Sequence, residues 1–175
     1  RSDAVVSVRA TVCALLVLAL PQAAAGVAAA APVQGRSDVL GRWQPKPLEC
    51  RRNLAGLAAA ECGAVLVDQR GDGVFRVSWA ARGASPGGAS VLTFVGVLSA
   101  AGEPMACRQA SCSLVKPMEL SLSTVSETLF DGRGVASSLP SAWPVSGTCR
   151  LDPTLVRCEA RALSGESWLA EARLR

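Results

Sequence analysis

The chain reads as all-β, or mainly β with one short N-terminal helix. Its antiparallel sheet is expected to fold into a small barrel or sandwich stapled by disulfides. Three observations predict this. Apolar and polar residues alternate with period two through most of the chain after residue 63. Gly, Pro and Asp punctuate those runs at short intervals. Six of the seven cysteines lie beyond residue 25, at spacings that suit cross-strand bridges.

The first segment addresses the chain rather than building the fold. Arg1 and Arg9 precede the apolar run Thr11 to Leu20, followed by Pro21 and Ala23-Ala24-Ala25. This is the order of a secretory signal peptide, so residues 1–25 are expected to be removed. The alternative is a retained anchor, because no charge occurs between Ala10 and Gln34. Pro21 and the alanine-rich second half weaken that alternative, since alanine contributes little to insertion. Export places the remaining cysteines in an oxidising, periplasmic or extracellular setting, where thiols become disulfides. A cleaved leader leaves about 150 residues, enough for one domain. Residues 26–47, rich in Ala, Pro, Val and Gln, read as a flexible tether, and 48–175 as the disulfide-bonded domain.

The domain opens with the one helical signal. Leu54, Leu57, Ala58 and Cys62 recur at three- and four-residue spacing, and Gly63 follows, which predicts an amphipathic helix over 50–62. Ala64 to Asp68 and Val74 to Trp79 flank the turn-rich Gln69-Arg-Gly-Asp-Gly73 and predict a hairpin. Val91 to Leu98 is apolar on both faces and predicts a central strand covered on both sides. Leu120, Leu122 and Thr124 alternate with Glu119, Ser121 and Ser123, as in a strand with one wet face. Val156, Cys158 and Ala160 oppose Arg157, Glu159 and Arg161. Trp168, Ala170, Ala172 and Leu174 then alternate with Leu169, Glu171, Arg173 and Arg175.

The cysteines follow from those strands. A turn centred on Pro153 and Thr154 pairs Cys149 with Cys158 at a non-hydrogen-bonded site, where Cα atoms sit about 4.5 Å apart. Proline cannot take the positive φ of the favoured two-residue turns, so a wider loop is an open alternative. The same counting around Gln109-Ala110 pairs Cys107 with Cys112, leaving Cys50 for Cys62. This order rests on locality, because spacing alone does not choose among connectivities. A zinc site would have to be all-Cys, and no CxxC spacing occurs. No metal or other cofactor is expected.

The chemical inventory is mostly negative. The chain has no His, which excludes Ser-His-Asp and Cys-His nucleophile systems. No Gly-rich phosphate loop of standard spacing is present. Charges are interspersed singly around a formal +4, without the clustering that a nucleic-acid footprint requires. Asp68, Asp72, Asp131 and Asp152 read as turn and surface residues, and convergence of such carboxylates is the one route to hydrolysis. Arg70-Gly71-Asp72 spells an integrin-type tripeptide but is ordinary hairpin-loop composition. The same stretch fails as a calcium loop, because Arg70 and Trp79 fall at ligand positions.

These readings predict an exported, non-catalytic binding or inhibitor-like domain for a protein or small-molecule ligand, with no nucleic acid and no stable membrane insertion once the leader is cleaved. Its size, leader and disulfides resemble small periplasmic inhibitor proteins in general terms, without a shared motif. The alternatives are a small envelope hydrolase working through carboxylates and a membrane-tethered structural or assembly factor. The expected recognition surface is the Pro-bracketed Trp143 together with Glu103, Arg108 and Gln109 near the 107–112 bridge. The competing role for Trp143 is a plug closing one end of an aromatic-poor core.

Overall fold

The computed structural model describes residues 41–175. The leader, and the tether up to residue 40, lie outside the described residues. Nearly all of the described chain is strand. The first strands are β1 (Gly41–Trp43), β2 (Pro47–Arg52), β3 (Ala60–Glu61) and β4 (Ala64–Gln69). Next come β5 (Val74–Arg82), β6 (Ala89–Leu98), β7 (Ala106–Arg108) and β8 (Ser111–Ser113). The last four are β9 (Met118–Phe130), β10 (Ser141–Leu151), β11 (Leu155–Ala162) and β12 (Ser167–Leu174). They form one sheet in the order β3-β2-β12-β11-β10-β9-β6-β5-β4-β1-β8-β7, antiparallel except for a single β1–β8 bridge. The sheet is not closed into a barrel.

It is curled nonetheless. Strands β1 and β2 are separated by only Gln44, Pro45 and Lys46, yet β1 pairs with β4 and β2 with β12, far apart in the sheet order. Four residues span at most about 14 Å, so the two halves must come together at this point. Pro45 and Pro47 offer no N–H to a ladder, which explains why the hydrogen bonding stops there. The chain crosses the same seam again at Cys62-Gly63, between β3 on β2 and β4 on β5. There the Cys62 N–H donates to Cys50 O and the Gly63 N–H to Ala80 O.

The concave face holds the core. Trp43, Val67, Val77, Phe94, Val125 and Trp143 form one cross-strand row through β1, β4, β5, β6, β9 and β10. The four middle residues are fully buried and the two tryptophans half-buried. Trp168 of β12 closes the row against Trp143, with ring centroids 5.0 Å apart. Two polar ties cross the interior. Arg52 of β2 donates through Nη2 to the Ser90 carbonyl of β6 at 2.9 Å and also to the Ser90 hydroxyl. Glu127 of β9 accepts from Trp168 Nε1 and from the Ala55 N–H, both at 2.7 Å.

Three disulfides, Cys50–Cys62, Cys107–Cys112 and Cys149–Cys158, have Cα separations of 5.0, 4.0 and 4.0 Å. Cys149 faces Cys158 and Cys107 faces Cys112 in register. The Asp152–Leu155 turn keeps the tight register without positive φ. The Asp152 carboxylate supplies the missing restraint by accepting from Thr154 N and Oγ1 at 2.9 and 2.8 Å. At the other tight turn Gln109 and Ala110 do take positive φ, 48° and 65°.

Four expectations are corrected. Residues 50–62 form no helix: β2 runs through Cys50, a turn with Gly56 at φ +69° follows, and β3 returns to pair with Arg51 and Arg52. Pairing with β12 outweighs the three- and four-residue spacing. Residues 41–47 are not tether, because β1 and the start of β2 fall among them. Strand β6 is central but fully covered on one face only; on the other Thr93 is buried, Val91 and Val95 are half-buried and Val97 is half exposed. Trp143 lies within β10 rather than in a loop.

Candidate functional site

The expected recognition residues do not converge. Trp143 points into the core row, whereas Arg108 ends β7 and Gln109 forms the β7–β8 turn. Five strands separate β10 from β8 in the sheet. Glu103 lies in the preceding loop, exposed and 2.7 Å from Lys116. Arg108, Gln109 and Glu103 therefore share one edge of the sheet without Trp143. That hairpin is held flat: Arg42 N–H donates to Ala110 O at 2.8 Å, and Gly41 lies so close to the Cys107–Cys112 sulfurs that a Cβ would collide with them. Asp68 is engaged by Arg42 Nε at 2.7 Å. Asp131 and Asp152 sit in connections at opposite ends of the antiparallel meander, so these carboxylates do not meet. Among the described residues no cluster of three or more His, Cys, Asp or Glu side chains is placed to hold a metal ion.

A groove of about 880 Å³ lies over the outer face of β10, β11, β12 and β2. Strand alternation builds it. Residues opposite the core row on these strands are charged, and their registers align Glu119, Arg150, Arg157, Glu171, Arg51 and Glu61 in one row across six strands. Within the groove Arg157 holds Glu171 at 2.6 Å and Glu159 at 3.3 Å. Hydrogen bonding to Glu171, then to Glu159, raises the Arg157 pKa above its ordinary value. Small residues on β10, Ser146 and Gly147, keep the floor low, and Leu57 and Leu169 line its sides.

Arg51 and Arg161 are the outer-face charges of this groove that are left uncommitted: among the described residues no carboxylate pairs with either. Two guanidiniums beside two leucines can take an anionic group attached to an apolar one. Glu159 and Glu171 both bond to the one guanidinium of Arg157, which holds the two carboxylates on neighbouring strands. The groove was missed in the sequence because its residues come from four strands. The signal available was the outward-facing charge set of β11 and β12, which reads from sequence as a solvated face.

Beneath the groove Arg52 is only 4 % exposed. Removal from water lowers its pKa, opposed by the field of Glu127. Its Nε has no partner, so the cluster is a costly one that joins two halves of the sheet.

No protein-family model, no curated protein and no solved structure matches the chain.

Proposed function

We propose that this chain is an exported, disulfide-tied binding domain that recognises an anionic, partly apolar segment of a partner in the outer groove. The observation that carries the reading is the pair Arg51 and Arg161, two guanidiniums that line the groove and have no carboxylate partner among the described residues. The concave face of the sheet supports it too. That face is filled by Trp79, Trp168, Phe75 and Phe94, so a ligand meets the outside of the sheet. Three intramolecular disulfides suit an oxidising compartment, and among the described residues no helix is long and apolar enough to cross a membrane. Export to the periplasm or cell exterior, with removal of residues 1–25, completes the proposal.

The test is capture from an envelope extract by immobilised protein, compared with the double substitution Arg51→Ala, Arg161→Ala. Both side chains lie on the outer face, so the fold tolerates their loss. Recovery of a partner by the native chain that drops about tenfold in the double variant, at unchanged melting temperature, supports the groove. Equal recovery by both proteins, or none by the native chain, overturns it.

A further inference from the structure

Strand direction alternates through the sheet, so the connections after β2, β5, β9 and β11 share one end of the molecule. Contacts confirm the neighbourhood. Asn53 N–H donates to Leu169 O, and a Cβ on Gly132 would lie 2.8 Å from Pro86 O. This rim carries an uneven share of exposed large apolar side chains: Leu57, Val135, Leu139 and Leu163, with Leu129 just below. Leu139 is 90 % exposed and Leu163 fully exposed. The other exposed large apolar residues, Leu48, Val97, Val115 and Leu169, sit singly on β2, on β6, after β8 and on β12.

Charge at the rim has a matching asymmetry. Arg82, ending β5, and Arg161, near the end of β11, are without carboxylate partners among the described residues. Of the rim-loop carboxylates, Asp131 is paired with Arg133 at 2.9 Å, while Glu166 accepts from Ser164 and keeps its charge, so the cations of the rim, Arg82, Arg133 and Arg161, still outnumber the anions. The apolar tips project from separate loops and form no shared concavity. Isolated leucines on separate loops ahead of free guanidiniums match a deformable apolar medium bounded by anionic headgroups better than the fixed surface of a protein.

We infer that this rim seats on an anionic lipid surface, with Leu139 and Leu163 entering the headgroup–acyl boundary and Arg82 and Arg161 facing the phosphates. The seat shares Arg161 with the groove, but Leu139, Leu163 and Arg82 do not line the groove, so substitution of the leucines tests the seat alone.

The test uses the full chain carrying Cys13→Ser, so that a single new thiol takes an environment-sensitive dye. One protein carries Leu163→Cys and a control carries Thr154→Cys, exposed in the β10–β11 turn at the opposite end. Each is mixed with phosphatidylcholine vesicles containing about 30 mol% phosphatidylglycerol, or none. The expected result is a blue-shifted, brighter emission at position 163 only, with anionic vesicles only. Adding Leu139→Asp should weaken the apparent vesicle affinity about tenfold. No spectral change at 163, an equal change at 154, or an affinity unaffected by Leu139→Asp overturns the inference; the last two outcomes would assign the binding to the apolar leader or to a protein-facing role for the rim.

Discussion

Gly96 and Gly147 face the same residue, Leu122, from the two strands that flank β9. They mark the place where β9 changes phase. The registers of both neighbours shift there: Ser123 is the extra residue against β6, whereas Val145 and Ser146 of β10 lie opposite Ser123 alone, and the buried series passes from Leu120 and Leu122 to Val125. A bulge brings backbones close, and glycine is what fits. A Cβ on Gly147 would collide with the Glu159 carbonyl oxygen and the Ala160 Cα, neither of which is a flexible side chain. Gly147→Ala should therefore lower stability by about 3 kcal/mol. Gly63→Ala, with open space around it, should change stability by less than about 0.5 kcal/mol. Urea unfolding of both variants checks the contrast.

Trp143→Ala should behave as a core truncation. Its ring stands against Trp168 at the end of the cross-strand row, so the loss should be about 3 kcal/mol, read as a lower melting temperature. An unchanged melting temperature with weakened partner binding would instead return Trp143 to the role of a surface anchor.

Arg52 separates shape from charge. Arg52→Ala leaves both a void and an unmatched Glu127, and should cost about 3 kcal/mol. Arg52→Met fills the same space without a charge to desolvate, and should stay within about 1 kcal/mol of the native chain. Equal losses in denaturant titrations would show that the guanidinium itself, through Ser90, holds the two halves together.

Stability should also carry an acid signature from the turns. Asp131 lies below the ordinary carboxylate range because the Val135 N–H and then the Arg133 side chain bond its charged form. Asp152 does so through the Thr154 N–H and hydroxyl. A depressed folded pKa contributes stability in full above the unfolded value of about 3.9 and loses it as pH falls through the folded value. The native chain should thus exceed Asp152→Asn near neutrality, with the difference closing below about pH 4. Melting curves from pH 3 to 7, on a scale spanning about that range, check the convergence.

Replacing Cys149 and Cys158 together by Ala should cost about 2–3 kcal/mol through the released loop, with the remaining bridges intact by non-reducing peptide mapping.

The sequence made some of this legible and hid the rest for identifiable reasons. The alternation in β11 and β12 and the counting that opposes Cys149 to Cys158 depend only on neighbours in the chain, and the observed registers match. The 50–62 segment misled because Leu54, Leu57, Ala58 and Cys62 satisfy a helical period by chance. Pairing of Cys50 with Ala172, more than a hundred residues away, decides the conformation. Strand β6 misled because Val91, Val95 and Val97 lie on an outer face that nothing fully covers. The groove and the Arg52–Glu127 cluster were invisible because each is assembled across the seam or across strands. No local pattern encodes them.

The seam has a consequence for how the molecule is made. Each bridge joins residues at most 12 apart in sequence, so each pair of thiols can meet inside its own hairpin before distant strands have found their places. Local pairing should therefore favour the native bridges over mispaired ones during oxidation. The slow step should lie elsewhere, at the docking of β2 onto β12, which joins strands near the two ends of the described chain. An export host that shields an unfinished sheet edge should thus raise the yield more than one rich in disulfide isomerase.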